Sequence, residues 1–240
     1  MRTLVIGDIH GAFKSLKDVF DKCKLNPNID KLIFLGDYVD GWSETSELIE
    51  YLIDIKKIFG DNVIFIKGNH DVWCQDFLNM GYSPSLWIEQ GGRETLESYI
   101  RTGYLTKEEH RSFFNNLLDW YIDEENRIFI HGGWEYVYGF PEGAKLPVSA
   151  GISAKECHWN RSLLSGAKAQ TSFKATREFK EVYVGHTATR GHLPENYGNL
   201  WNIDSGCGWH GKLTVMDVDT KEYWQSDFSK ELYKGERGRT

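Results

Sequence analysis

Five short stretches combine metal-ligating residue types with glycine: Asp8-Ile9-His10-Gly11, Gly36-Asp37-Tyr38-Val39-Asp40-Gly41, Gly68-Asn69-His70-Asp71, His131-Gly132-Gly133 and Gly185-His186-Thr187. Asp8, His10, Asp37, Asn69, His131 and His186 together offer carboxylate oxygens, an amide oxygen and imidazole nitrogens, with no thiolate among them. Such a set suits manganese, iron or zinc. Six donors exceed one tetrahedral site, whereas two ions bridged by a carboxylate would use them all. That is an arrangement typical of two-metal phosphoester hydrolysis, with the ions roughly 3.5 to 4 Å apart. Any one of these stretches alone reads as a turn or a structural histidine. Five in series, each following an apolar run, point to a shared site.

The elements that must position these residues follow from hydrophobic periodicity. Apolar runs at residues 2–6, 31–35 and 62–67 alternate with amphipathic stretches at 12–24 and 43–59, the latter placing Leu48, Leu52, Ile55 and Phe59 on one helical face. This is βαβαβ, which implies parallel strands. In open α/β sheets the loops beyond the carboxyl ends of the strands converge on the ligand site, so the polar residues after each strand are expected to gather there. A helix is expected at 92–100, and Thr106 with Glu109 has the capping-box spacing that would open another reaching about Leu118. Short strands are expected at 120–123, 127–130, 182–184, 200–203, 213–217 and 222–225.

The chain has 240 residues, with 28 basic against 35 acidic side chains and a net charge of −7, which excludes an electrostatic nucleic-acid binder as the default. At 40% hydrophobic and 26% charged it has a globular composition. No repeat or linker divides it, so one domain is expected over residues 1–233, followed by a polar tail at 234–240 read as frayed. The apolar run after Met1 is far shorter than a membrane span of about 20 residues, and no membrane association is expected. Cys23, Cys74, Cys157 and Cys207 form no C-x-x-C pair and read as free thiols. A cytoplasmic location is expected.

With these motifs the sequence resembles the phosphoprotein phosphatase branch of the calcineurin-like metallophosphoesterases, especially its bacterial and phage members, and the related symmetrical diadenosine tetraphosphatases. The resemblance covers nearly the whole chain. It extends to Trp87-Ile-Glu-Gln-Gly-Gly-Arg-Glu-Thr-Leu-Glu-Ser-Tyr99 and to Asn202-Ile-Asp-Ser-Gly206. It implies a four-layer α/β/β/α sandwich of two mixed β-sheets flanked by helices. It also implies that Asp8 and His10 bind one metal, Asn69, His131 and His186 bind the other, and Asp37 bridges them. Manganese is the expected ion at both positions, with iron or zinc as alternatives. A bridging hydroxide would be the nucleophile, without a covalent phosphoenzyme. His70 would be the general acid on the leaving oxygen, with Asp40 holding its ring and raising its pKa. Arg161, in a segment resembling the family's Trp-x-Arg loop, would grip phosphate oxygens.

One departure concerns the phosphate pocket. The family usually writes Gly-Asp-x-x-Asp-Arg-Gly, whereas here Gly41 and Trp42 follow Asp40. A second phosphate-binding arginine is therefore missing at that place, with Arg93 and Arg190 as candidates to compensate. Trp42, Trp73, Trp134, Trp159 and Trp209 lie close in sequence to the motifs, where a ring could stack a nucleobase, although core packing is the commoner use. His110 reads as a solvated helix residue. The expected activity is that of a serine/threonine protein phosphatase acting on a phosphoprotein or small phosphoester. The alternative is a dinucleoside polyphosphate hydrolase or phosphodiesterase with the same metal site. A binding module that had lost catalysis would be expected to lack a ligand or the acid, and none is missing.

Overall fold

The computed structural model describes residues 1–135, 153–169 and 178–239. The first third forms β1 (Arg2–Ile6), α1 (Phe13–Cys23), β2 (Asp30–Phe34), α2 (Thr45–Phe59), β3 (Val63–Phe65) and α3 (Asn69–Met80). The turn α4 (Ser85–Trp87) and the helices α5 (Arg93–Thr102) and α6 (Glu108–Asn115) lead into β4 (Trp120–Ile122) and β5 (Arg127–Ile130). Beyond these lie α7 (Ala154–Trp159), α8 (Ser162–Lys168), β6 (Glu181–Val184), β7 (Glu195–Tyr197), β8 (Leu200–Asn202), β9 (Thr214–Asp217), β10 (Tyr223–Gln225) and α9 (Ser229–Leu232).

Two mixed five-stranded sheets result, ordered β10-β9-β1-β2-β3 and β4-β5-β6-β8-β7. β1, β2 and β3 run parallel, as do β5, β6 and β8, while the outer strands are antiparallel additions. The two-residue period of a strand assigns each residue to a layer. Val5, Ile33, Phe129, Tyr183 and Met216 point between the sheets, where the Phe129 and Tyr183 rings stack with centroids 4.9 Å apart. Their neighbours Leu4, Ile6, Leu32 and Phe34 face the helices on the other side of the first sheet, and Ile128, Ile130, Val182 and Val184 pack with Leu163, Leu164 and Ala167 on the outer face of the second. Strands buried on both faces explain why these runs are continuously apolar rather than alternating. The expected sandwich of two mixed sheets between helices is the fold observed.

Several local readings change. Thr106 ends a short 3₁₀ turn instead of capping α6, which starts at Glu108 after Lys107. His110 is fully buried, its Nδ1 3.0 Å from Tyr99 Oη and its Nε2 2.9 Å from Glu50, rather than solvated. α3, α4, α7, α8, α9 and β7 are additions to the expected elements. The reading of 234–240 as frayed fails within its described part: Gly238 is buried, and the Arg239 amide donates to the Gly208 carbonyl at 2.9 Å. Among the described residues no helix is long and apolar enough to cross a membrane, and the four cysteines are buried and free.

Candidate metal centre

Each candidate ligand lies one to a few residues past the carboxyl end of a strand. Asp8 and His10 follow β1, Asp37 and Asp40 follow β2, Asn69 and His70 open α3 after β3, His131 follows β5 and His186 follows β6. Contacts join the two sheets at this end: His131 Nε2 is 3.3 Å from Asp37 Oδ2, and the His186 amide donates to Asp8 Oδ2 at 2.9 Å. His10, Asp37, Asp40 and His186 all adopt positive φ, between 52° and 73°. Asp and His tolerate the left-handed region better than most residues, but it still costs about 1 kcal/mol each, and such strain concentrates at functional sites.

The side chains form two overlapping groups. Donor atoms of Asp8, His10 and Asp37 lie within 4.8 Å of one another, and so do those of Asp37, His131 and His186, with Asp37 common to both. Asn69 Oδ1 stands 3.3 Å from His131 Nε2. All six are buried. The chemistry fits divalent ions on three counts. Asp8 Oδ1 is buried with no hydrogen-bond partner among the described residues, leaving an acceptor oxygen to be satisfied. A Cβ on Gly185 would stand 2.2 Å from that same oxygen, so the backbone makes room for it. The histidines are also oriented by backbone carbonyls, which can only accept. His10 Nδ1 donates to Val39 O and His131 Nδ1 to Leu35 O, both at 2.9 Å, leaving each Nε2 toward the cluster. His186 Nε2 meets Trp159 O at 3.2 Å, which frees its Nδ1.

Burial disfavours charge throughout, and the neighbours decide the outcome. Asp8 is held well above the usual carboxylate range by burial and then by Asp204. Burial also pushes Asp37 upward, but His131, His70 and His10 outweigh it and hold the carboxylate ionised. His131 shows the reciprocal effect: burial lowers it, yet Asp37 and Asp8 lift it to about 9. His10 and His186 are pushed well below the ordinary imidazole value, chiefly by burial, which favours the neutral ring a metal needs.

His70 and Asp40 form a buried pair beside this cluster. His70 Nδ1 is 2.6 Å from Asp40 Oδ2, which also accepts from Trp87 Nε1 at 2.7 Å, and Asp40 Oδ1 accepts from Thr95 Oγ1 at 2.7 Å. The expectation that Asp40 raises the His70 pKa is not met. Burial, reinforced by Arg239 and His131, pushes His70 down to about 3 against the pull of Asp37. Burial likewise lifts Asp40 to about 8, although Thr95 and Trp87 act to lower it. Burial thus disfavours charge on both members of the pair, and the short contact between them fixes the plane of the ring.

Arg161 lies exposed at the start of α8, its charge in range of Asp37, Asp8, Asp204 and Arg239. Trp42 and Trp134 are core residues, Trp42 donating to Cys207 O at 2.8 Å. Trp73 and Trp159 are half-buried and line up beside His70, with His70 to Trp73 centroids 5.1 Å apart and Trp73 to Trp159 6.2 Å. The sequence reading missed Arg239, whose Nη1 is 3.2 Å from His10 Nε2. No motif surrounds it and its position depends on tertiary packing. Asp204, which no metal-ligand motif surrounds, is also buried near Asp8 and raised to about 6, burial being the main cause.

A two-sheet sandwich carrying two histidine–carboxylate groups that share one aspartate defines a phosphoesterase of the metal-dependent kind. The chain belongs to the calcineurin-like phosphoesterase family, whose model matches residues 1–218. It is 33% identical to the symmetrical bis(5′-nucleosyl)-tetraphosphatase of Haemophilus ducreyi, over 95% of this chain and 99% of that one. It is 38% identical to the serine/threonine-protein phosphatase PP1-delta of Caenorhabditis elegans, over only 28% of this chain and 22% of that one. Its fold resembles a metallophosphoesterase from Sphaerobacter thermophilus with a TM-score of 0.58 and 15% identity, covering 97% of this chain and 91% of the other.

Proposed function

We propose that this chain hydrolyses dinucleoside polyphosphates. The observation that carries this reading is the end-to-end match to a bis(5′-nucleosyl)-tetraphosphatase, against a protein-phosphatase match confined to a quarter of the chain. The comparisons thus favour the alternative over the serine/threonine protein phosphatase expected from the Gly-Asp-x-x-Asp motif. The half-buried Trp73 and Trp159 beside His70 supply the apolar faces a nucleobase would stack on.

In this reading Asp8, His10 and Asp37 hold one ion, and Asp37, Asn69, His131 and His186 hold the second, manganese at both. Ions bound there supply positive charge to the phosphoryl group and an acidified water as nucleophile. Arg161 steadies non-bridging oxygens. His70 carries a proton to the leaving phosphate on the nitrogen remote from Asp40, and Asp40, fixed by Trp87 and Thr95, sets the plane of the ring. Four buried free cysteines accord with a reducing cytoplasm.

The test compares kcat/KM for diadenosine tetraphosphate and a phosphothreonine peptide on one manganese-loaded preparation, with products separated by chromatography. A clear preference for the dinucleotide is expected. A clear preference for the peptide would overturn the substrate assignment.

A further inference from the structure

Residues 234–239 pack beside the metal centre and bring a second arginine to it, with Arg239 Nη1 3.2 Å from His10 Nε2. The Glu236 carboxylate accepts from Ser43 Oγ at 3.0 Å and from the Ser43 amide at 3.2 Å, and His210 Nε2 donates to the Arg237 carbonyl at 2.9 Å. Gly238 has φ +66°, and a Cβ there would meet Trp42 Cζ2 and Trp209 O at 2.8 Å, so the strap is pressed against Trp42 and Trp209. The Arg239 guanidinium lies over the Trp209 ring, 4.9 Å from its centroid.

The guanidinium's own contacts are incomplete. Nη1 reaches His10 Nε2, and Nε is buried without a hydrogen-bond partner among the described residues. A guanidinium offers five donors and cannot lose its charge, so a buried unpaired Nε is costly unless an anion supplies the acceptor. Since His10 Nδ1 donates to Val39 O, Nε2 carries the lone pair that Arg239 uses. A metal ion taking that lone pair would deprive Arg239 of this acceptor as well. Gly41, where the family's arginine would stand, adjoins this side chain. Its φ is +118°, and a Cβ at this position would lie 2.8 Å from Arg239 Cγ. The space open to a side chain at residue 41 is thus filled from the strap, while Arg93 and Arg190 are exposed at the surface.

We propose that Arg239, held in place by the 234–239 strap, is a phosphate-binding residue that works with Arg161 to clamp a phosphoryl group of the substrate. The inference rests on the phosphoesterase reading of the metal centre and is independent of which phosphoester is cleaved.

The experiment measures binding of inorganic phosphate to the manganese-loaded protein by calorimetry, together with metal content and melting temperature. Arg239→Gln is expected to weaken phosphate binding about ten- to hundredfold with metal content unchanged, and Arg239→Lys to recover part of it. Gly238→Val keeps the guanidinium but displaces the strap, and is expected to weaken phosphate binding as well. Unchanged affinity in Arg239→Gln would overturn the proposal, as would tighter binding or faster turnover, which would make the strap a plug. Wild-type kinetics with the dinucleotide and the peptide test the substrate assignment separately.

Discussion

Asp40 Oδ2 receives both the His70 ring and the Trp87 indole, so one oxygen fixes the orientation of the proposed acid and ties it to a helical turn 47 residues on. Asp40 is therefore a positioning residue, and His70 the group that would touch the leaving oxygen. Replacing His70 by Asn keeps a side chain of similar reach but removes the transferable proton. Turnover is expected to fall 10²- to 10⁴-fold, about the worth of a placed proton donor, with metal content intact. Equal loss of metal and activity would show that His70 supports the ion site instead.

At the scale of elements, Asp71 in the first turn of α3 accepts from the amides of Gly68 and Asp37 at 2.8 Å and of Tyr38 at 3.0 Å, tying the loop after β2 to the loop after β3. Asp71→Ala would leave three buried N–H groups unsatisfied. It is expected to destabilise the fold by about 3 kcal/mol or more and to lower metal affinity, measurable by denaturant unfolding and metal titration. The sequence disclosed the parts of this arrangement that repeat locally. Apolar runs ending in Gly-Asp or Gly-Asn located β1, β2 and β3 and their ligands, because periodicity and loop chemistry are written within a few residues of each other. α3 was hidden because its start, Asn69-His70-Asp71, is spent on the site and its capping residue is Gly68. α7 carried a readable signal: Ser153 and Glu156 form a capping box, with Ser153 Oγ accepting from the Glu156 amide. Arg239 had no such signal, since its role arises from a strap packing against Trp42 and Trp209, far away in the chain. The His70–Asp40 pair was expected from the motifs, but burial shifts both groups away from their charged forms, and spacing does not report burial.

At the scale of the molecule, ion binding and stability are linked through protons. His131 is lifted to about 9 in the folded state, so the stability it contributes is fully present below pH 6.5 and is lost as pH rises through 9. Asp40 and Asp71, each raised to about 8 chiefly by burial, act in the same direction, their contribution being lost as pH rises through 8. The metal-free protein should therefore melt at a lower temperature at pH 8 than at pH 6. Divalent ions held by His131 would compete with its proton, so their affinity is expected to rise with pH. The gain in melting temperature on adding manganese is expected to be larger at pH 8 than at pH 6; an equal gain would argue against His131 as a ligand. The topology adds a kinetic consequence. β1 lies between β2 and β9, with Val5 opposite both Ile33 and Met216, so the strand preceding Asp8 and His10 has a neighbour about two hundred residues away. Closing so long a loop is entropically costly and slow relative to local pairing. The parallel β1–β2 unit can form early, but the centre of the first sheet is sealed only when β9 arrives. During refolding, capture of the metal ions would thus serve as a clock for that last long-range event.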